Sequence, residues 1–158
     1  MHRISLTVNG QEHQLEVKPD SLLVSVLRDN LGLTGTHVGC DTSQCGCCNV
    51  LMDGVSIKSC AILALQADGC HISTVEGLSQ HADLHPIQEA FSKCHGLQCG
   101  FCTPGMIMTT ACLLSANPKP SDEDIVHALE GNLCRCTGYV NIIESVREAS
   151  RLIAAHQA

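Results

Sequence analysis

The chain has 158 residues, 44% hydrophobic and 16% charged, enough for one domain or for two small ones. Nine Lys and Arg residues against 16 Asp and Glu residues give a net charge of −7, which opposes binding to nucleic acid or to an anionic membrane. No segment approaches the about 18 apolar residues of a membrane-spanning helix, and MHRISLTVNG lacks the apolar core of a signal peptide. We therefore expect a cytoplasmic protein. Disulfides are rare in that reducing compartment, so the twelve cysteines indicate metal binding.

The first half of the chain is predicted to form a small mixed sheet with helices. Apolar and polar residues alternate on both sides of Asn9-Gly10, a dipeptide typical of a two-residue hairpin turn. The pattern then predicts, in chain order, a helix after Asp20 that stops at Gly32, a hairpin over residues 48–60 that turns at Asp53-Gly54, a short helix over 61–67 and a strand through 72–75.

The second half is predicted to be all helical. Residues 76–86 contain Gly, Ser, Asp and Pro among polar residues, and they place a boundary between a domain over 1–77 and a domain over 84–158. Four helices are predicted to begin at Pro86, at Thr103-Pro104 with Thr103 as N-cap, at Ser121 with Asp124 completing a capping box, and at about Asn141.

A first set of cysteines lies in the first half. Cys40, Cys45 and Cys48 have the spacing C-x4-C-x2-C and are followed by Cys60, which is the plant-type iron–sulfur pattern. Structural zinc sites more often use two short C-x2-C pairs. The spacing therefore favours a [2Fe–2S] cluster. Cys47 could compete with Cys48 for the third position, but Cys48 keeps the plant-type spacing, and Cys47 is predicted to be a small buried residue.

A second set lies in the helical half. Cys99 and Cys102 precede a helix, and Cys134 and Cys136 lie in a turn between two helices. Taken alone, these pairs suit zinc and iron equally, because both metals accept four thiolates; a neighbouring iron–sulfur cluster makes iron the better assignment. Three further cysteines have no partner at ligand spacing and are predicted to be core residues: Cys70, Cys94 and Cys112.

The motifs of a complete catalyst are missing. No Gly-x-Gly-x-x-Gly follows a predicted strand, and no Ser/His/Asp arrangement or open metal site is evident. A chain with two clusters can carry single electrons but offers no group that transforms a substrate. We therefore expect an electron donor and an electron acceptor on other chains.

Two long segments carry a family resemblance. GCDTSQCGCCNVLMDG with the later KSC, and HGLQCGFCTPGMIM with the later GNLCRCTGY, resemble the small iron–sulfur subunit of the molybdenum hydroxylases, the xanthine oxidase family. The resemblance covers residues 3–150. It implies an α+β fold in which an N-terminal β-grasp ferredoxin domain precedes a four-helix [2Fe–2S] domain.

The resemblance also implies roles for individual residues. One cluster, on the flavin side, would be held by Cys40, Cys45, Cys48 and Cys60. The other, nearest the molybdopterin, would be held by Cys99, Cys102, Cys134 and Cys136. Gln98 and Cys136 match family positions that lie against the pterin of a large subunit. Cys47 stands where the family usually has Ala, and Asn49 where Thr is common.

Partners and function follow from the same resemblance. Electrons would run from the molybdenum cofactor of a large subunit, through both clusters, to FAD on a medium subunit, in a dimer of heterotrimers. The segments resemble those of aerobic carbon monoxide dehydrogenase and of bacterial N-heterocycle hydroxylases, with a slight preference for the former. Two other functions stay open: a free-standing two-cluster ferredoxin shuttle and a zinc-stapled structural scaffold.

Overall fold

The computed structural model describes residues 1–79 and 83–156. Residues 80–82, within the predicted domain boundary, and residues 157–158, at the end of the predicted second domain, lie outside the described residues. None of the described helices is both long enough and apolar enough to cross a membrane.

The first half forms a five-stranded mixed sheet. Its strands are β1 (His2–Val8), β2 (Gln11–Val17), β3 (Asn49–Met52), β4 (Val55–Lys58) and β5 (His71–Ser73). They lie in the order β2-β1-β5-β3-β4, in which β1 and β5 are parallel and the other neighbours antiparallel. The order confirms a mixed sheet. The strand β3, which directly follows Cys48, therefore has a neighbouring strand on each side.

Both predicted hairpins are confirmed. The β1–β2 turn has positive φ angles at Asn9 (50°) and Gly10 (82°), and the β3–β4 turn has them at Asp53 (50°) and Gly54 (83°). Positive φ at both central residues is the requirement of the type I′ turn that matches strand twist. Local turn chemistry therefore sets these two connections.

The helices of the first half are shorter than predicted. The helix after Asp20 consists of α1 (Leu23–Ser25), which continues as a π-helical turn (Val26–Asn30). The predicted helix over 61–67 is wrong: two 3₁₀ turns, Ser59–Ala61 and Ala64–Ala67, replace it. The reason is a bridge between Leu22 and Leu63, because backbone bonds from Leu23 to Ile62 and from Ala64 to Ser21, both 2.8 Å, hold the intervening residues extended.

Four helices of eight or more residues follow in the described part of the chain. They are α2 (Pro86–Lys93), α3 (Thr103–Ala116), α4 (Asp122–Leu129) and α5 (Val140–His156). The helix α3 is apolar on nearly all sides, as expected for a helix at the centre of a core. It packs against β3, α2 and α4, while α2 lies along α5. Each half has its own hydrophobic core.

Helix capping follows the predictions with one exception. Ser121 and Asp124 form the predicted capping box of α4 through reciprocal side-chain to backbone bonds of 3.2 and 2.8 Å. The N-cap of α3 is Cys102 rather than Thr103, because the carbonyl of Cys102 already accepts the bond from the Met106 amide at 3.0 Å. Thr103 is therefore the first residue of the helix.

The two halves meet along a seam between α3 and the first cysteine loop (residues 39–48). A buried polar network crosses this seam: the Asn49 amide donates to the Thr109 hydroxyl (2.8 Å), which donates to Asn132 (2.9 Å). The Asn132 amide in turn donates to the Gly46 carbonyl at 3.2 Å. At Gly105 the helix backbone passes so close to the loop that a Cβ would collide with the Gly46 carbonyl oxygen.

Candidate metal centres

The first cysteine loop prepares Cys40 as a thiolate. The Cys45 amide donates to the Cys40 sulfur at 3.4 Å. This bond and those from the amides of Thr42 and Gln44 lower the pKa of Cys40 to about 6. The thiolate is the form of cysteine that binds a metal. The backbone amides therefore favour a metal-binding thiolate at Cys40 even before a metal is bound.

Cys48 and Cys60 form a second pair. Cys48 is buried just before β3 and Cys60 is half-buried in the 3₁₀ turn after β4, so the β3–β4 hairpin brings their thiols together. The Ser59 hydroxyl strengthens this approach by donating to the Cys48 carbonyl at 2.7 Å. Burial, together with the neighbouring Cys60 thiol, raises the pKa of Cys48 to about 11. The Ser43 hydroxyl lies 3.5 Å from the Cys60 sulfur.

Cys47 is buried, as predicted, with 4% of its surface exposed. Its side chain belongs to the core of the helical half, and burial, with a further contribution from Cys45, raises its pKa to about 12. Its sulfur would lie 3.1 Å from a Cβ added at Gly39, and the Cys45 sulfur would lie 3.2 Å from it. The loop is therefore packed closely enough that Gly39 cannot accept a side chain without moving these thiols.

The second set of thiols comes from two other loops. Cys99 and Cys102 lie in the second cysteine loop (residues 96–102), and Cys134 and Cys136 lie in the third (residues 131–139). The exposed sulfurs of Cys99 and Cys136 are 3.7 Å apart. Cys102 is buried beside Cys134; burial, together with the Cys134 thiol, raises its pKa to about 12.

The surroundings of Cys134 favour its thiolate, in contrast to those of Cys102. Burial works against its thiolate, but hydrogen bonds from Thr137 and Cys136 lower its pKa overall. The Thr137 hydroxyl donates to the Cys134 sulfur at 3.1 Å. The Tyr139 hydroxyl supports the same turn, because it accepts from the Cys134 amide (2.9 Å) and donates to the Asn132 carbonyl (3.0 Å). These polar groups were missed by the sequence reasoning, although they stand inside the motif NLCRCTGY.

The eight thiols therefore occur as four pairs, two in each set. The pairs are Cys40 with Cys45, Cys48 with Cys60, Cys99 with Cys136, and Cys102 with Cys134. Within residues 1–79 and 83–156, no three His, Cys, Asp or Glu side chains are arranged as the donors of a single ion. A [2Fe–2S] cluster is held by four thiolates spread over two irons. The paired donors fit such a cluster in each half, and the close-packed Gly39 fits one in the first half.

The two sets are joined directly through the backbone. The Leu133 amide, next to Cys134, donates to the Cys45 carbonyl at 2.8 Å. In addition, the His37 ring stacks on Phe101 with centroids 4.7 Å apart and bonds the Phe101 carbonyl at 2.8 Å. The third cysteine loop thus contacts the first, and the second contacts His37, which lies just before the first.

The other predicted positions lie away from these contacts. Gln98 is exposed, next to the exposed Cys99. The prediction that Cys70, Cys94 and Cys112 are core residues needs correction, because all three are only half-buried. They stand at edges of the packing: Cys70 precedes the short β5, Cys94 caps the C-terminus of α2, and Cys112 faces β4, where its sulfur accepts from the Ser56 amide at 3.4 Å.

Comparison with known proteins finds a family match in each half of the chain. Residues 6–71 match a 2Fe-2S iron-sulfur cluster binding domain, and residues 74–147 match a [2Fe-2S] binding domain. Two curated relatives align along nearly the whole chain. The 6-hydroxypseudooxynicotine dehydrogenase complex subunit beta of Paenarthrobacter nicotinovorans is 47% identical, with 93% of this chain and 92% of the relative covered. Caffeine dehydrogenase subunit gamma of Pseudomonas sp. (strain CBB1) is 50% identical, with 94% and 91% covered.

A solved structure agrees in shape as well as in sequence. The crystal structure of quinoline 2-oxidoreductase from Pseudomonas putida 86 contains a chain with a TM-score of 0.94 and 46% identity, and the match covers 99% of this chain and 97% of that one. With two matching iron–sulfur domains in order and such relatives over its full length, the chain belongs to the small iron–sulfur subunits of the molybdenum hydroxylases.

Proposed function

We propose that this chain carries electrons through two [2Fe–2S] clusters, from a molybdopterin site on a large subunit to FAD on a medium subunit of a molybdenum hydroxylase. The observation that carries the proposal is the assembly of eight thiols from two separate motifs into four pairs, two in each half. Each pair would hold one iron. When bound, a cluster supplies reversible one-electron transfer.

The chain's own groups would prepare these sites. In the first half, the Cys45 amide would stabilise the Cys40 thiolate, and Gly39 would let the loop close over the sulfurs. In the second, the Thr137 hydroxyl would stabilise the Cys134 thiolate. Hydrogen bonds to cluster sulfurs help to set the reduction potential, so these groups would tune the reduction potential of each cluster.

The proposal extends to domains and partners. Residues 1–77 would be a β-grasp ferredoxin domain, and residues 84–158 a four-helix bundle. The exposure of Gln98, Cys99 and Cys136 supports a role for this edge as the end that faces the pterin of the large subunit, since a group buried within the chain could not reach a partner's cofactor. The complete enzyme would be a cytoplasmic dimer of heterotrimers.

The relatives suggest a class of substrate for that enzyme. Their names refer to 6-hydroxypseudooxynicotine, caffeine and quinoline, which are nitrogen heterocycles or derivatives of them. They favour hydroxylation of an N-heterocycle over oxidation of carbon monoxide. The substrate would bind to the large subunit, because this chain offers no group that acts on one.

Metal analysis and EPR spectroscopy of the native complex test the proposal. We expect about four iron atoms per chain, two for each cluster, and two distinct EPR signals after reduction. Cys102→Ser should remove one signal and stop electron flow to FAD, while the other signal stays. Cys112→Ser is the matched control, because this thiol lies outside both sets, and it should keep both signals.

The alternatives give different results. Elution of the chain without large and medium subunits would favour a free-standing shuttle. Zinc in place of iron and sulfide would favour a structural scaffold, and such a protein would be colourless. Equal loss of both signals in Cys102→Ser would contradict two independent sites.

A further inference from the structure

One buried hydroxyl, on the residue that follows Cys102, has no hydrogen-bond partner within residues 1–79 and 83–156. Thr103 is the first residue of α3, and only 9% of its surface is exposed. Its Oγ1 atom is buried and makes no hydrogen bond within the described part of the chain. Burying a hydroxyl without a partner is unfavourable, so native proteins usually provide one.

The other buried threonines of the same helix are satisfied. The Thr109 hydroxyl donates to Asn132 at 2.9 Å, and the Thr110 hydroxyl donates to the Met106 carbonyl one turn earlier at 2.8 Å. The Thr103 hydroxyl cannot donate to a carbonyl one helical turn earlier, because Thr103 is the first residue of the helix. It does not cap the helix either, since Cys102 is the N-cap and makes no side-chain cap bond.

The position of Thr103 indicates what its partner is. Thr103 directly follows Cys102, whose buried thiol lies beside Cys134, so the residue with the unpartnered hydroxyl adjoins a proposed iron ligand in the chain. Cluster sulfurs carry negative charge and accept hydrogen bonds. No other buried hydroxyl of α3 is available to them, because Thr109 and Thr110 are already bonded within the described residues.

We propose that the Thr103 hydroxyl donates a hydrogen bond to a sulfur of the helical-domain cluster and thereby raises its reduction potential. The inference rests on the proposed function. Reduction adds one negative charge to the cluster, and a hydrogen bond to a more negative acceptor is stronger. The bond therefore stabilises the reduced state more than the oxidised state, and it makes this cluster a better electron acceptor.

Redox titration of the purified complex, followed by EPR, tests the inference. Thr103→Val removes the hydroxyl and keeps the shape of the side chain, whereas Thr103→Ser keeps the hydroxyl. Thr110→Val is the matched control in the same helix, because its hydroxyl is bonded to the Met106 carbonyl. The signal of the helical-domain cluster is identified as the one that Cys102→Ser removes.

In Thr103→Val we expect the ratio of reduced to oxidised helical-domain cluster, at a fixed ambient potential, to fall about tenfold, which equals about 59 mV for one electron. Thr103→Ser and Thr110→Val should keep the wild-type ratio, and the other cluster should not change in any variant. If Thr103→Val loses iron, Thr103→Ala gives a second hydroxyl-free variant and should show the same fall.

Two outcomes would overturn the inference in different ways. An unchanged midpoint in Thr103→Val, with both signals intact, would mean that the hydroxyl bonds a buried water instead; the proposed function would stand. A wild-type complex without two reducible signals would refute the proposed function itself.

Discussion

Gly105→Ala tests whether the contact between α3 and the first cysteine loop holds the two halves together. In an ordinary helix this change stabilises by about 1 kcal/mol, because alanine has the higher helix propensity. Here the added Cβ would collide with the Gly46 carbonyl oxygen and lie 3.0 Å from the Cys47 Cα. Both are backbone atoms, so no side-chain rotation relieves the contact.

The two effects therefore compete, and their sizes decide the sign. Overpacking in a tight core costs about 1–3 kcal/mol, and a collision with backbone lies at the upper end of that range. After subtraction of the helix gain, we expect a net loss of about 2 kcal/mol in the free energy of unfolding. The loop should also shift, because Gly46 accepts the Asn132 bond and precedes Cys47.

Denaturant unfolding, followed by circular dichroism and by visible absorbance, measures both effects. Gly131→Ala is the control: only the Lys58 side chain lies near its added Cβ, at 3.9 Å, and its φ is not in the left-handed region. That variant should be at least as stable as the wild type. If Gly105→Ala were equally stable and kept full visible absorbance, the argument for a close-packed seam would be refuted.

Two further predictions concern single side chains. Cys47→Ala should keep about four irons per chain, because Cys48 rather than Cys47 keeps the plant-type spacing; iron analysis showing about half that amount would mean that Cys47, not Cys48, binds iron. Asp122→Asn should lower stability at neutral pH, since the Arg147 guanidinium, 2.8 Å away, holds the pKa of Asp122 below its usual value of 3.8. Because a depressed carboxyl pKa stabilises the fold only above that range, the difference from wild type in urea unfolding should vanish as the pH falls well below 3.8. An equal difference at low and neutral pH would point to lost packing instead.

Local signals in the sequence predicted the local structure well. Asn9-Gly10 and Asp53-Gly54 specify their turns because few other residues adopt two successive positive φ angles. The side chains of Ser121 and Asp124 each accept a hydrogen bond from the other's backbone amide, within one turn of helix. The helix predicted over 61–67 is wrong because Leu63 instead pairs with Leu22 in a β-bridge. This contact joins residues far apart in the chain, and local hydrophobic periodicity does not reveal it.

The metal chemistry was predictable to a similar extent. Spacing predicted two sets of thiols and favoured Cys48 over Cys47 as a ligand, and the ligand assignments stay predictions. The pairing of Cys99 with Cys136 across 37 positions depends on how the loops meet, and no spacing rule contains it. Thr103 was predicted to cap its helix because the pattern Thr-Pro is typical of that role. Only the backbone geometry showed that Cys102 is the N-cap and that the Thr103 hydroxyl makes no capping bond within the described residues.

The bond between the Leu133 amide and the Cys45 carbonyl has a consequence for how such a subunit can vary. It joins main-chain atoms, so the side chain at position 133, which is largely exposed, can change without breaking it. A chimera that takes its helical half from a relative should therefore keep this main-chain contact between the halves. The requirement is a residue without a side chain at position 105, which lets the grafted helix approach as closely as the original.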